Sequence, residues 1–438
     1  MLPAPDKIDT DDNFCQETDV VVIGGGIIGV SAALFLRRKG LRVTLCDKGH
    51  IACEQSSRNW GWVRVMGRDP REIPLAIASQ RIWEDFSERE GLDTGFVRNS
   101  ILYVFDTPRM RDTYTSWIEH AREHQLPTRL LSRKELQQLL PGINRHIDGG
   151  LLTPSDARAE PQKGASAIAR IAQREGVAIK QNCAVRGIDI AGGKVCGVIT
   201  ELGRITAGSV LLAGGTWSRL MLGNHGVDFP QLSVRGTVMR VESSANVPEL
   251  TVGGSNFAYR RRADGGYTVA QPRANISELT PDSFRLFADF LPTLRSEWRD
   301  VRIRVGRRSL EELRRKRYWS MDETTVFEDV RVLDPVPHPG VVASAVANLQ
   351  RAMPAFQDAR VTTAWAGMID VTPDAVPVIG PVPAIPGLFA ATGFSGHGFG
   401  IGPGAGRLAA DLINGDAPLV GPHPFRFDRF ARTRMSSN

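Results

Sequence analysis

One short stretch restricts this chain more than any other: the apolar run Asp19-Val20-Val21-Val22-Ile23 passes without a break into Gly24-Gly25-Gly26-Ile27-Ile28-Gly29. A β-branched run this short and this apolar reads as a strand buried on both faces, the kind that parallel sheets contain. Behind the glycines, Ile28, Ala32, Phe35 and Leu36 mark the apolar face of a helix, Arg37-Arg38-Lys39 put positive charge at its last turn, and Gly40 ends it. Residues 42–46 supply a second strand that stops at Asp47, which completes a βαβ unit. Gly24, Gly26 and Gly29 have the GxGxxG spacing where it has a physical purpose. Gly24 permits the tight turn, Gly26 lets a pyrophosphate approach the backbone, Gly29 lets helix and strand pack closely, and the helix N-terminus favours negative charge. Asp47 suits an unphosphorylated ribose, which FAD and NAD share, and Ile27, Ile28 and Lys48 flank these positions.

Two later segments return to the same scaffold. Residues 177–185 read as a strand, Ile188-Asp189-Ile190 and 195–200 as a hairpin around Gly192-Gly193, and 209–213 as a buried strand closed by Gly214-Gly215. Residues 388–392 form another strand, followed by a glycine-rich turn and a helix over 404–413. Between these returns lie alternating stretches such as 234–241 and 267–270, with helical stretches at 283–290 and 310–317. The pattern predicts an α/β chain: residues 19–95, 151–230 and 365–438 form a Rossmann-like dinucleotide domain. Residues 96–150 and 231–364 form an α+β substrate domain on an antiparallel sheet.

The choice between FAD and NAD falls on Ala391-Thr392-Gly393-Phe394-Ser395-Gly396-His397-Gly398-Phe399-Gly400. Its glycines let the backbone lie against a flat ring, and the next helix points its positive end at a ring that carries negative charge when reduced. A nicotinamide has no such need, so FAD is expected.

With these residues the chain resembles the D-amino-acid oxidase superfamily, in the branch of glycine oxidase, sarcosine oxidase and D-amino-acid dehydrogenase. The likeness is carried by VVVIGGGIIGVSAALFLRRKG with Asp47, by Ser56-Ser57-Arg58-Asn59-Trp60-Gly61-Trp62-Val63-Arg64, by LLAGGTWS at 211–218, by WAGMIDVTPDAVPVIG at 365–380 and by ATGFSGHGFG. It implies a flavin domain of the glutathione-reductase type. It also implies pyrophosphate contacts from Gly24, Gly26, Gly29, Ser56 and Ser57, ribose contacts from Asp47 and adenine contacts from Val185. Gly214, Gly215 and Trp217 would line the adenosine end. Arg64, the 58–62 cluster (Arg58, Asn59, Trp60, Gly61, Trp62) and the turn Gly393, Phe394, Ser395, Gly396, His397 and Gly398 would surround the isoalloxazine. Arg64 and His397 are then the residues beside the reacting atoms, with His397 read as a positioning contact and general-base catalysis as its alternative.

Three departures bear on substrate and acceptor. Glycine-oxidase-like members carry an arginine at the position of Ile369 to hold the substrate carboxylate, so another cation must replace it. The candidates are Arg64, Arg68 and Arg71, or Tyr259 with Arg260, Arg261 and Arg262, because a guanidinium fork matches a carboxylate. Monomeric sarcosine oxidases carry a lysine, linked to oxygen reactivity, where Gly400 stands, and no cysteine follows Cys196 to link a flavin covalently. The expected reaction is oxidation of a C–N bond in a small anionic amino acid, glycine or an N-substituted glycine such as sarcosine or iminodiacetate. Non-covalent FAD takes the hydride, and oxygen or a quinone takes the electrons. The alternatives are a D-amino-acid dehydrogenase feeding a quinone and an accessory flavoprotein subunit.

Composition removes other classes. A net charge of +6 over 438 residues suits anionic small molecules, while no zinc spacing or basic tail points to nucleic acid. Cys15, Cys46, Cys53, Cys183 and Cys196 are odd in number and contain no CxxC pair, which argues against a disulfide framework or a metal site and for a reducing compartment. No apolar stretch is long enough to span a membrane, so the cytoplasm is the expected location, with a peripheral place at the inner membrane surface as a variant. The acidic leader 1–18 (Asp6, Asp9, Asp11, Asp12, Glu17) is expected to be a flexible arm. The basic run 299–317 reads as a solvated helix face or as a docking surface for a subunit, another copy or an anionic membrane.

Overall fold

The computed structural model describes residues 4–11, 14–297 and 302–430. Its first layer is a six-stranded sheet in the order Val378–Pro381, Leu388–Thr392, Ser209–Leu212, Val20–Ile23, Val43–Cys46 and Ala178–Lys180. All neighbours run parallel except Val378–Pro381, which pairs antiparallel with Leu388–Thr392. The helix Ile27–Arg38 is buried along ten consecutive residues, Ile27 to Leu36, where the sequence pattern shows only one apolar face. Close packing explains this: Gly402 and Gly406 of the helix Gly398–Asn414 lie so near that a Cβ would stand 2.9 Å from Ile27 Cγ2 and 2.5 Å from Ser31 Cβ.

The second layer is a ten-stranded sheet with Leu232–Glu242 near its middle, paired with Arg360–Val371 and Tyr267–Ala270 and continuing through Ala258–Arg261 and Thr251–Gly253 to Ile101–Phe105. Its apolar face buries Leu102, Val252, Tyr259, Tyr267, Val269 and Phe356. The expected domain boundaries shift at two places. Gly149–Thr153 pairs with Ile101–Phe105, and 365–371 lie on the strand Arg360–Val371, so both belong to this sheet. Nothing local announces which sheet a strand will join.

Residues 177–185 do not form one strand: Ala178–Lys180 closes the parallel sheet, and Val185–Ala191 begins a separate antiparallel sheet with Lys194–Thr200 and Gly203–Thr206. Ala178–Lys180 is a sheet edge, and the leader covers it. Asp11 N donates to Ile179 O at 2.9 Å, the Asp11 carboxylate accepts from Ile179 N at 2.5 Å, and Ile8 is buried. The leader expected to move freely is thus tied down where an edge left donors and acceptors unpaired; Asp12 lies outside the described residues. In the basic segment the helix runs Arg307–Arg314 rather than 310–317, and 299–301 lie outside the described residues.

Candidate functional site

Two hollows meet between the layers. The first is a groove of about 140 Å³ whose lining includes Gly24, Gly26, Asp47, Lys48, Ser56, Val185, Gly214, Gly215 and Trp217. Gly24 has φ +106°, and a Cβ on it would stand 2.5 Å from Ala213 O; a Cβ on Gly29 would stand 1.9 Å from Gly24 O. Both positions therefore exclude a side chain. Gly26 begins the helix Ile27–Arg38 without a side-chain cap of its own, and Ser56 Oγ accepts from Ile27 N at 2.9 Å, so two segments far apart in sequence converge on that helix end. Asp47 accepts from Gly25 N at 2.6 Å and Gly49 N at 2.7 Å, while burial pushes its carboxyl up from the ordinary range. Ile28 is buried in the helix interior and Ser57 lies beneath the surface, its hydroxyl 3.3 Å from Glu54 O; neither lines the groove.

The second hollow, about 220 Å³, is lined by Arg58, Asn59, Trp60, Trp62, Arg64, Arg68, Tyr103, Ile369, Ser395, Gly396 and His397, among others. Gln55 belongs to both hollows, and its Oε1 is buried without a hydrogen-bond partner. The glycine-rich turn is braced from below by Asp370, whose carboxylate accepts from Gly393 N at 2.7 Å and Gln231 Nε2 at 3.2 Å. Gly393, Phe394 and Gly398 support the turn without facing the cavity, and Gly61 is pressed against Ala159 O and the Arg260 guanidinium. Ile369 faces the cavity, so the position that resemblance associates with a carboxylate anchor is apolar at the site itself. At Gly400 a Cβ would stand 2.9 Å from Trp62 O, which explains why no lysine occupies that place.

The arginine candidates separate sharply. Arg64 and Arg68 line the cavity. Arg260 does not: it is fully buried, its fork makes bonds of 2.8 and 3.0 Å to Glu160, and its Nε donates to Trp60 O. Tyr259 packs between Tyr267 and Phe356 in the core of the second layer. Neither is available to a substrate, because strand alternation turns Tyr259 into the core and a buried carboxylate consumes Arg260. Arg71 pairs with Asp69 and Asp374, and Arg262 with Asp264, away from the cavity.

Sequence reasoning missed Glu72. This carboxylate has no exposure and lies 3.2 Å from His397 Nδ1, behind the cavity wall. Burial pushes its pKa up, but His397, Arg68 and Arg64 outweigh that effect and hold it below the ordinary range. Burial, then Arg68, press the His397 pKa down, with Glu72 opposing them. It also missed Asp156, which accepts from Val65 N, Met66 N and Gln80 Nε2 at 2.7, 3.2 and 2.8 Å and so fixes the Arg64 loop. A single buried acid carries no spacing signal. A third hollow of about 410 Å³ opens beside Trp217, but its arginines are largely engaged, Arg219 and Arg317 by Asp282 and Arg315 by Glu312.

Among the described residues no group of three His, Cys, Asp or Glu side chains is placed to hold a metal, and no helix is long and apolar enough to cross a membrane.

The chain matches the family model described as FAD dependent oxidoreductase over residues 19–412. It is 27% identical to glycine oxidase of Pseudomonas aeruginosa over 414 residues, covering 93% of this chain and 97% of that one. It is 26% identical to the sarcosine oxidase beta subunit of Rhizobium meliloti, covering 94% and 88%. The L-amino acid deaminase of Proteus myxofaciens, solved with anthranilate, superposes with a TM-score of 0.93 at 31% identity, covering 97% of both chains.

Proposed function

We propose, given that the chain belongs to the FAD dependent oxidoreductase family, that it oxidises the Cα–N bond of an amino acid to an imino acid, which water hydrolyses to a 2-oxo acid and ammonia. That it is an FAD-dependent enzyme of amino-acid or amine oxidation follows from the family and its relatives. The observation that carries it is the junction at Gln55 between a glycine-lined groove and a cavity holding Arg58, Arg64, Arg68 and the half-buried His397. Gly24, Gly26 and Ser56 would hold the pyrophosphate, Asp47 the ribose, and Val185, Gly214, Gly215 and Trp217 the adenosine end. Arg58–Trp62 and Ser395–His397 would border the isoalloxazine. Bound there, FAD supplies the two-electron acceptor for the Cα hydrogen.

The protein's own part is to bind and orient. Arg64 presents a guanidinium to the substrate carboxylate, with Arg68 buried behind it. Its Nη1 donates to Met66 O and the group stands over the Tyr103 ring at 5.6 Å, so it is pre-positioned before a substrate arrives. Trp60, Trp62 and Ile369 give the cavity an apolar wall opposite its arginines, which favours an amine that enters neutral. His397, with Glu72 3.2 Å from its Nδ1, serves as a positioning residue rather than a base.

Support for an L-α-amino acid with an apolar side chain comes from the aromatic lining and from the deaminase likeness. The glycine-oxidase and sarcosine-oxidase likenesses favour a second reading, an N-substituted glycine. A panel of L-, D- and N-methyl amino acids with a dye acceptor separates the two: one 2-oxo acid and one ammonia per dye reduced supports deamination, and formaldehyde from sarcosine supports the second. The acceptor we assign is a quinone, because Gly400 has no room for the lysine of oxygen-reactive relatives. Phe284, Val305, Leu313 and Tyr318 are exposed among Arg285, Arg302, Arg304 and Arg307, a surface suited to an anionic membrane holding that quinone. Sedimentation with anionic but not neutral vesicles tests it.

A further inference from the structure

The chain from residue 319 to 334 belongs in sequence to the second domain, yet Phe327 and Arg331 line the same groove as Gly24, Gly26 and Asp47. Its ties run from one wall to the other. At one end Trp319 Nε1 donates to Arg186 O at 2.7 Å, and Glu328 accepts from the Arg186 guanidinium at 3.0 and 2.9 Å. Phe327 then stands edge-on to Trp217, 5.8 Å between ring centres. Lys48 Nζ donates to Val330 O at 2.6 Å and to Arg331 O at 3.0 Å, and Arg331 Nη1 returns a bond to Lys48 O at 3.0 Å. The Arg331 fork also holds Glu201, with Nη2 2.6 Å from Oε2. At the far end Leu333 N donates to Glu54 Oε1 at 3.0 Å, and Arg58 Nη1 donates to Leu333 O at 3.0 Å and Asp334 at 2.8 Å. Gly49 makes the crossing possible, since a Cβ there would stand 2.2 Å from Arg331 O.

These ties are mostly polar bonds at the groove's margin, with the Arg331 and Glu201 side chains 34% and 14% exposed. Apolar packing anchors the segment as well, since Phe327 is buried in the core beneath the groove and Trp319, Val326, Val330 and Leu333 pack against that core, so the part free to loosen is the polar edge at Arg331. A ligand as long as FAD, lying along the groove, would run beside Phe327 and Arg331, so loosening that edge would ease its exit. We infer that residues 319–334 form a strap that closes over the adenosine half of FAD, and that Arg331, gripped by Lys48 and Glu201, is the latch that sets how slowly the cofactor leaves. The inference rests on the cofactor lying in this groove.

The test is the release of FAD from the purified holoenzyme on dilution, followed by the rise in free-flavin fluorescence. Arg331→Ala should release FAD about tenfold faster, the scale of one lost charge-assisted bond, with Arg331→Lys in between. The melting temperature of the apo-protein should stay that of the wild-type apo-protein. Release at the wild-type rate overturns the strap, and so does faster release accompanied by an equal fall in apo-protein melting temperature, which marks general loss of structure. Gly26→Val separates the two assignments. If it keeps FAD, the groove itself is misassigned; if it loses FAD while Arg331→Ala holds it as long as the wild type, only the strap fails.

Discussion

The groove and the cavity share Gln55 but are built in opposite ways. The groove is built on three segments that follow strands closely, the turn at 24–29, the loop at 47–56 and the turn at 214–217, with Trp217, Phe327 and Arg331 closing its walls. The cavity is made of side chains from places far apart, Arg64, Tyr103, Thr237, Gln271, Ile369 and His397, brought together by the pairing of Leu232–Glu242 with Arg360–Val371 and by the 395–400 turn. A nucleotide is the same molecule in every relative and can be met by a fixed backbone shape. A substrate differs from one relative to the next, and side chains are what can change without disturbing the sheets.

The largest effect should come from the groove. Gly29→Leu forces atoms against Gly24 O, already 1.9 Å from an ideal Cβ, and the protein should purify without flavin, as absorbance of the eluted protein will show. Flavin retained at full stoichiometry breaks the contrast, because the groove would then not depend on its backbone. Next comes Arg64→Ala, which should raise KM on the order of 100-fold for an anionic substrate and leave FAD content unchanged, as removal of one partner from a desolvated ion pair does. An unchanged KM moves the anchor to Arg68, which lines the same cavity.

Glu72→Gln should act more gently, on the pH profile. Glu72 favours the charged form of His397 against burial, so its loss lowers the His397 pKa further. Any acid limb of kcat/KM that reports His397 should then move to lower pH; a limb that stays in place detaches Glu72 from the site. The smallest effect concerns Asp156, whose pKa burial raises to about 6 from 3.8. The folded state holds this proton more tightly than the unfolded chain, so the contribution to stability is full below 3.8 and is lost as the pH rises through about 6. Melting temperatures of wild type and Asp156→Asn across that window should differ by a pH-dependent part; parallel curves would show that the carboxyl does not titrate there.

These contrasts also explain what the amino-acid sequence revealed. The βαβ unit was legible because Gly24 and Gly29 leave no room for a side chain and, with Gly26, sit between two short apolar runs. The glycine-rich turn at 393–400 was legible for the same reason. Tyr259 and Arg260 were misplaced because their residue types suit a carboxylate, whereas their strand faces the core on one side and Glu160 on the other. Glu72, at the start of the helix Ile73–Glu88, and Asp156, in a loop, went unseen because a single buried acid is recognised only by what packs around it. The leader was misjudged because the sheet edge at Ala178–Lys180 that it covers lies some 170 residues along the chain.

Anaerobic mixing of the yellow holoenzyme with single amino acids tests the central claim most directly. An apolar L-α-amino acid should bleach the flavin absorbance in a saturable way, faster as the pH rises toward the pKa of the bound ammonium, and Arg64→Ala should need far higher concentrations for the same rate. Flavin that stays oxidised with every primary and secondary amino acid offered, while dithionite bleaches it fully, would contradict the account and leave a flavoprotein whose cavity serves another chemistry.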